Sequence, residues 1–274
     1  MNQEKALVWF RRDLRDHDHA ALSAALSNAR EVHCAFIFDR AILDPLPRAD
    51  RRVEFIRESL VELDQALRDA SGHPHAGLVV RHGHAVDEIV ALAVQLGVQS
   101  VFAAHDYEPA AQTRDRMVFG ALAHAGIALH TVKDHVVLEG RELLTRTGTP
   151  YTVFTPYKKA WLALVDEDRL RSHDVMPHVA ALAPRPEGMR QPVPQLQEIG
   201  FARTNLHDLK IAPGISGARS LFADFFERMD QYHATRDFPA VKGPSYLGVH
   251  LRFGTVSIRR LASAALQASM TGSP

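Results

Sequence analysis

The feature that most constrains the fold is an alternation of five short apolar segments with four amphipathic segments over residues 5–132. The apolar segments have the length of buried strands and are residues 5–10, 31–39, 77–80, 100–104 and 127–132. The clearest helix between them carries apolar residues in steps of three and four, namely Val53, Ile56, Leu60, Leu63 and Leu67. This alternation predicts an α/β fold with a doubly wound, five-stranded parallel sheet covered by helices on both faces.

Ligands of such sheets lie beyond the carboxyl ends of the strands, so the residues after the first strand are informative. No G-x-G-x-x-G sequence follows that strand, which disfavours a phosphate loop for a dinucleotide. Three arginines stand there instead: Arg11, Arg12 and Arg15. They either bind an anion or pair with the nearby Asp13, Asp16 and Asp18, and the residues alone leave both readings open.

The charge and cysteine counts exclude several classes of protein. Lys and Arg total 32 and Asp and Glu total 32, so the chain is not a basic protein that coats nucleic acid, although a local basic face remains open. The one cysteine, Cys34, cannot form an internal disulfide. Because no signal segment or membrane-spanning stretch is evident either, we expect a cytoplasmic protein without membrane attachment. Three His-x-His pairs lack a nearby third ligand, so no metal site is expected.

The pattern changes after residue 134. Residues 135–213 are rich in proline and polar residues and are predicted to be a long linker that lies over the surface without packing as an element. Phe154, Tyr157 and Trp161 in this linker are expected to pin it onto the first domain, the alternative being an aromatic and basic binding surface. Helical periodicity returns at Ile215, and Ser257 is expected to cap a last helix.

Residues 232–251 form a long, loop-like stretch with Pro239, Gly243, Pro244 and Gly248. Glycines let backbone N–H groups approach a ligand, and an array of such groups suits an anion such as a diphosphate. Loops between helices are usually only about 2–8 residues long, which favours binding over simple connection.

Four motifs in order resemble the photolyase/cryptochrome flavoprotein family. They are the sequence WFRRDLR at 9–15, Tyr107-Glu108-Pro109, the sequence VFTPYKKAW at 153–161, and Arg236-Asp237-Phe238-Pro239 followed by Ser245-x-Leu247. The last two resemble bacterial cyclobutane pyrimidine dimer photolyases most.

The resemblance implies an antenna domain at 1–134, an interdomain linker at 135–213 and the beginning of a helical FAD-binding domain at 214–274. It implies a carbon–carbon lyase that repairs cyclobutane pyrimidine dimers in DNA by light-driven electron transfer from reduced FAD, and a monomer. The alternatives are a cryptochrome-type photoreceptor without repair activity, or an unrelated nucleotide-binding α/β module. Family members continue well beyond this length, so we expect a fragment that neither holds FAD firmly nor repairs DNA alone.

The resemblance also assigns residues. The flavin-contacting stretch corresponds to Tyr232, Pro244, Ser245, Tyr246, Leu247 and Gly248. Among these, Tyr232, Ser245 and Leu247 match the family types, whereas the others depart from the usual Thr, Arg and Ser. Arg236 corresponds to a position that faces DNA phosphate, and no catalytic residue falls within this chain.

The resemblance leaves open whether a second chromophore, the antenna, is a folate, a deazaflavin or absent. In many relatives an Asn-Glu pair binds the folate, and Ala110 and Ala111 stand at that place here.

Overall fold

Five strands form one sheet in which every neighbouring pair runs parallel. The strands are β1 Gln3–Phe10, β2 Ala29–Asp39, β3 Leu78–Gly83, β4 Ser100–Ala104 and β5 Ala128–Val132. Their order across the sheet is β3-β2-β1-β4-β5, so the chain changes direction of winding at β1. The predicted α/β class and the doubly wound sheet are confirmed.

The structure is a computed structural model that describes residues 3–270; residues 1–2 and 271–274, which the predicted domain bounds include, lie outside the described part. The α-helices are α1 Ala20–Asn28, α2 Arg40–Leu43, α3 Arg51–Ser71, α4 Ala85–Leu96, α5 Pro109–His124, α6 Phe154–Leu164, α7 Gly214–Phe226, α8 Tyr232–Thr235, α9 Gly248–Phe253 and α10 Ile258–Met270. Short 3-10 helices occur at Met176–Ala181, Glu187–Met189, Leu196–Ile199, Leu206–Leu209 and Met229–Gln231.

Both faces of the sheet are buried, and β1 shows why. Successive side chains of a strand point to opposite faces. Val8 and Phe10 therefore pack in the core beneath α1 and α3, whereas Leu7 and Trp9 pack in the core beneath α4 and α5. Helices on both faces of the sheet thus explain why β1 is apolar at every position from Ala6 to Phe10.

The N-cap of α1 is His19, one residue after Asp18, and its Nδ1 accepts the Leu22 N–H at 3.1 Å. The Asp18 carboxylate is already engaged by Ser257 and Arg259, so it is not available to the helix.

The linker packs more deeply than predicted. Leu182 forms an isolated parallel bridge with Val32 of β2, and the Ala183 N–H donates to the Val32 carbonyl at 2.9 Å. Val193 and Leu196 join the same buried cluster as α1 and α3. The expectation of a segment that merely lies over the surface is therefore wrong, because the apolar residues among its prolines face the sheet domain.

The C-terminal segment docks on α3. The Gly214 N–H donates to Ser59 Oγ at 3.0 Å, and the Ser216 N–H donates to Glu62 at 2.7 Å, which fixes the start of α7. Nearer the start of α3, Phe55 packs against the rings of His250 and Phe253. The start of α7 and α9 are therefore both held against the first domain.

Within residues 3–270, none of the helices combines the length and the apolar character that crossing a bilayer requires.

Candidate functional site

At the carboxyl ends of β1 and β4, where the winding changes direction, the arginines form ion pairs. Arg11 pairs with Asp115 at 2.6 Å, and Arg12 lies 3.3 Å from Asp106 and 3.1 Å from Glu108. Of the two alternatives for the arginine cluster, anion binding and ion pairing, these two side chains therefore follow the second. The carboxylates that pair with them come from the loop between β4 and α5 and from α5, however, and not from the neighbouring aspartates.

A buried ionic junction joins the sheet domain to α10. Arg259 donates to Asp18 Oδ1 and to Asp134 Oδ1, each at 2.9 Å, and Arg15 donates to Asp134 Oδ2 at 2.7 Å. The Ser257 hydroxyl donates to Asp18, and the Arg259 N–H donates to Ser257 Oγ at 3.1 Å, which confirms the predicted cap of the last helix. This junction positions α10 beside α7.

The carboxylates of the junction are ionised. Burial alone would raise the pKa of Asp18, but the Arg259 guanidinium and the Ser257 hydroxyl outweigh it and hold the pKa below its usual value. Burial acts on Asp134 in the same way, and Arg15 and Arg259 again lower its pKa. Both groups therefore carry their charge at neutral pH.

Within the described residues, one group of three ligand-type side chains has the spacing of a metal site. Asp13, Asp134 and His135 offer ligand atoms within 4.8 Å of one another. Both oxygens of Asp134 already accept from arginine side chains, so a further cation there would be opposed by two guanidinium groups. None of the His-x-His pairs contributes to this group.

A concave apolar site lies between α6, α7 and α10. It is a cavity of about 290 Å³ whose walls include Phe222, Phe225, Met229, Leu261 and Ala265. Ser245 and Leu247 line the same cavity. Leu247 is only 2% exposed, and its N–H lies 3.4 Å from Ser245 Oγ, so the turn between them presents both side chains to one space.

Tyr232 lies beside this cavity without lining it. Its ring meets Phe225 edge to face at a centroid distance of 6.0 Å, and Phe225 is a cavity wall. The Arg236 guanidinium lies 5.7 Å from the Tyr232 ring centroid, and the Arg236 side chain is half-exposed. The structure thus brings Ser245 and Leu247 together in one cavity, places Tyr232 against a wall of that cavity, and places Arg236 beyond Tyr232.

The remaining residues of the predicted stretch play backbone roles. Pro244 has no N–H, and its carbonyl accepts from Arg228 at 3.0 Å. Tyr246 adopts a left-handed conformation with φ of 56° and is 51% exposed, a strained geometry for a residue with a side chain. Gly248 begins α9.

The aromatic residues of α6 do not behave as expected. Phe154 is 72% exposed, so it does not pin the linker to the sheet domain. Trp161, two turns later, lines the cavity with Leu247. This helix therefore helps to build the cavity, and the expectation of a purely structural pin is wrong.

Ala110 and Ala111 lie in the first turn of α5, directly after Pro109. Ala111 is buried, and neither residue has a polar side chain. The helix therefore offers no side-chain hydrogen bond at these two positions.

Phe225 and Leu261 are site residues that the sequence did not identify, and Trp161 was named only in the alternative of an aromatic and basic binding surface. Phe225 and Leu261 lie on apolar faces of their helices, and the apolar pattern of such a face is the same whether it meets a core or a cavity.

The cavity suits part of a flavin dinucleotide. Small-molecule sites usually measure about 300–1,000 Å³. At about 290 Å³ the apolar cavity lies at the lower end of this range. The described residues therefore fit an apolar portion of such a cofactor.

The free energy of unfolding should depend on pH through His250. This side chain is buried between Phe55 and Thr255 and shares one hydrogen bond with Thr255 Oγ1 at 2.8 Å. Burial lowers the pKa of His250 to about 4. The unfolded chain takes up this proton near its ordinary value of about 6.5, so the stabilisation present above pH 6.5 is lost as the pH falls towards 4. His250→Gln should flatten the fall in unfolding free energy over this interval, by at most about 1.4 kcal/mol per pH unit. Parallel curves from urea unfolding of the two proteins would contradict this.

Comparison with known proteins agrees with this architecture. The DNA photolyase family model matches residues 6–180. The "Deoxyribodipyrimidine photo-lyase" of Halobacterium salinarum is 34% identical over 94% of this chain and 54% of its own length. The chain thus spans about half the length of this curated relative.

Solved structures share the fold. A bacterial class III photolyase from Agrobacterium tumefaciens superposes with a TM-score of 0.82 at 25% identity, over 98% of this chain and 54% of that one. The Synechocystis cryptochrome superposes with a TM-score of 0.79 at 17% identity, over 100% of this chain and 57% of that one, which indicates a common fold only.

Proposed function

Because this chain belongs to the DNA photolyase family, we propose that it serves in the light-driven repair of cyclobutane pyrimidine dimers in DNA. The observation that carries the proposal is the cavity in which Ser245 and Leu247 meet Phe225. When bound, reduced FAD supplies an electron to the dimer, which is chemistry that a cofactor and not a side chain performs.

In this proposal the chain holds one side of the flavin. Leu247 and Phe225 form an apolar wall that keeps water from the ring system, and Ser245 offers a hydroxyl group at the rim. Tyr232 supports Phe225 from behind. Tyr246 and Gly248 contribute backbone N–H groups, and Pro244 fixes the turn without donating a hydrogen bond.

Arg236 is proposed to contact a DNA phosphate. Its guanidinium is half-exposed, and its nearest carboxylate oxygen, on Asp237, is 3.8 Å away, so it is only weakly compensated. The Tyr232 ring holds it beside the cavity. A phosphate contact there would position the duplex near the flavin without reading its sequence.

We further propose the division into an antenna domain at 1–134, a linker at 135–213 and a FAD-binding segment at 214–274, in a monomeric cytoplasmic protein. A folate is not part of the proposal, because Ala110 and Ala111 offer it no side-chain partner.

The direct test is a repair assay with the full-length protein. The protein is reduced, mixed with an oligonucleotide that contains one thymine dimer, and illuminated with blue light. We expect bound flavin and loss of the dimer in the light but not in the dark. Bound flavin without repair would overturn the repair function and favour photoreception. Protein that binds no flavin would overturn the cofactor assignment.

Leu247→Asp should lower the flavin content at least tenfold, because it places a carboxylate in an apolar cavity and a buried, unpaired charge costs several kcal/mol. The matched control is Leu251→Asp, one turn further along α9 at a position that is exposed. Flavin absorbance per protein measures the effect, and circular dichroism checks that both variants fold. Equal flavin content in the two folded variants would show that Leu247 does not face the cofactor.

A further inference from the structure

A second cluster of arginines lies far along the chain from Arg236, where the start of α3 runs beside the linker. We call Arg48, Arg51, Arg52 and Arg203 the arginine surface. The Ala202 N–H donates to the Arg48 carbonyl at 2.7 Å, and Arg51 Nε donates to Asn205 Oδ1 at 2.9 Å. These two bonds bring residues 48–52 and 202–205 side by side.

The start of α3 borders a shallow depression. It has a volume of about 610 Å³ and is lined by Arg51, Arg52, Thr204 and Asn205 together with Ala49 and Asp50. Arg48 and Arg203 flank these lining residues along the chain, and all four arginines are exposed. Because only two of the four line the depression, the guanidinium groups do not all converge on one point.

The carboxylates nearby are turned away from this surface. Asp50 is buried, accepts the Arg52 N–H at 2.8 Å and pairs with Arg52 at 2.5 Å. Glu54 is also buried and accepts both the N–H and the hydroxyl of Thr204. One of the four arginines is therefore neutralised locally, and the second carboxylate is occupied within the protein.

The other three arginines lack an acidic partner. No carboxylate among residues 3–270 lies within 4.0 Å of the charged nitrogens of Arg48, Arg51 or Arg203. This contrasts with Arg11, Arg12 and Arg15 at the ends of the strands, which are paired. Three uncompensated charges along one open surface produce a local positive potential in a chain whose formal net charge is zero.

We propose that the arginine surface binds backbone phosphates of duplex DNA, as a contact separate from Arg236. Guanidinium groups pair with phosphate in a bidentate manner, and duplex DNA presents one negative charge for about every 1.7 Å of its axis. A row of spread charges matches such a polymer better than a single free phosphate, which requires donors that converge. The choice of DNA as the polyanion rests on the proposed function.

The test measures binding of an undamaged duplex, in the dark, by fluorescence anisotropy at several salt concentrations. Each phosphate contact adds about 0.9 to the slope of log K against log salt. The triple variant Arg48→Gln, Arg51→Gln and Arg203→Gln should lose about 2.7 units of slope and at least tenfold in affinity at low salt. Binding by the triple variant within twofold of the native protein would overturn the inference.

Two controls separate the alternatives. Arg116 on α5 is exposed, its guanidinium donates to Thr113 Oγ1 at 2.9 Å, and no carboxylate of the described residues pairs with it. Its helix packs on the opposite face of the sheet from α3. Arg51→Gln should therefore weaken binding at least threefold more than Arg116→Gln, and equal losses would overturn the inference. Millimolar inorganic phosphate that displaces the duplex at constant ionic strength would show a single-anion site and would also overturn it.

Failure here is distinguishable from failure of the proposed function. Dimer repair and flavin content are measured separately, on damaged DNA in the light. If the native protein repairs dimers and the triple variant keeps native DNA affinity, only the proposed role of the arginine surface is overturned. If the triple variant loses DNA affinity and the native protein repairs no dimers, only the proposed repair function is overturned.

Discussion

Replacing Arg259 by methionine should lower the free energy of unfolding by about 3–5 kcal/mol, because breaking a buried ion pair leaves an uncompensated charge. Arg259 is buried and donates to both Asp18 and Asp134, whose pKa values lie below normal partly through its charge. Without it, Asp18 would remain ionised and buried, with hydrogen bonds from Ser257 and the His173 N–H as its remaining partners.

The matched control is Arg260→Met, one residue further along α10. The Arg260 side chain is exposed, and no carboxylate among the described residues pairs with it, so its loss should change the unfolding free energy by less than about 0.5 kcal/mol. Urea unfolding at neutral pH measures both variants. If Arg259→Met fell within 1 kcal/mol of Arg260→Met, the junction would contribute little to holding α10 in place.

Gly254→Ala should be the second most damaging of the predicted substitutions, at about 2–5 kcal/mol. Gly254 has φ of 68°, and a Cβ atom there would lie 2.0 Å from the Arg12 carbonyl oxygen and 2.5 Å from the Asp13 Cα. Both atoms belong to the backbone after β1, which cannot rotate out of the way as a side chain can. The cost therefore combines a left-handed conformation with a steric clash between two chain segments.

Gly72→Ala separates these two contributions. Gly72 ends α3 with φ of 66°, and an added Cβ would meet no atom within 4 Å. It should cost about 1–2 kcal/mol, from the backbone conformation alone. Thermal unfolding of the two variants gives the difference, which we expect to be at least 1 kcal/mol. Equal costs would mean that the contact between Gly254 and the loop after β1 is loose in solution.

The sheet was predictable because each strand carries its own local signal. A short apolar segment between helices can be recognised as a strand without knowledge of its partners, so β4 was predicted to the residue. The packing of the linker was not predicted, because the pairing of Leu182 with Val32 joins residues that are far apart along the chain. The prolines of the linker also obscure the pattern of its apolar positions. The partners of Arg11 and Arg12 were missed for the same reason.

The candidate site was predicted unevenly. Ser245 and Leu247 were identified through a motif, and the structure places both in one cavity. Trp161 reaches that cavity from a helix more than eighty residues earlier, which no local pattern reveals. An apolar helix face borders this cavity only because α6, α7 and α10 are arranged around it. The sequence of one of these helices does not show where the other two lie.

The bridge between Leu182 and Val32 has a consequence for how the protein is made. Val32 leaves the ribosome long before Leu182, and folding of long-range contacts is slow because the chain must first close a large loop. During synthesis one edge of the amino-terminal half of β2 therefore stays without its neighbour until much of the linker has emerged, and an unpaired strand edge is a site of aggregation. We expect the nascent chain to expose this short strand edge over that interval.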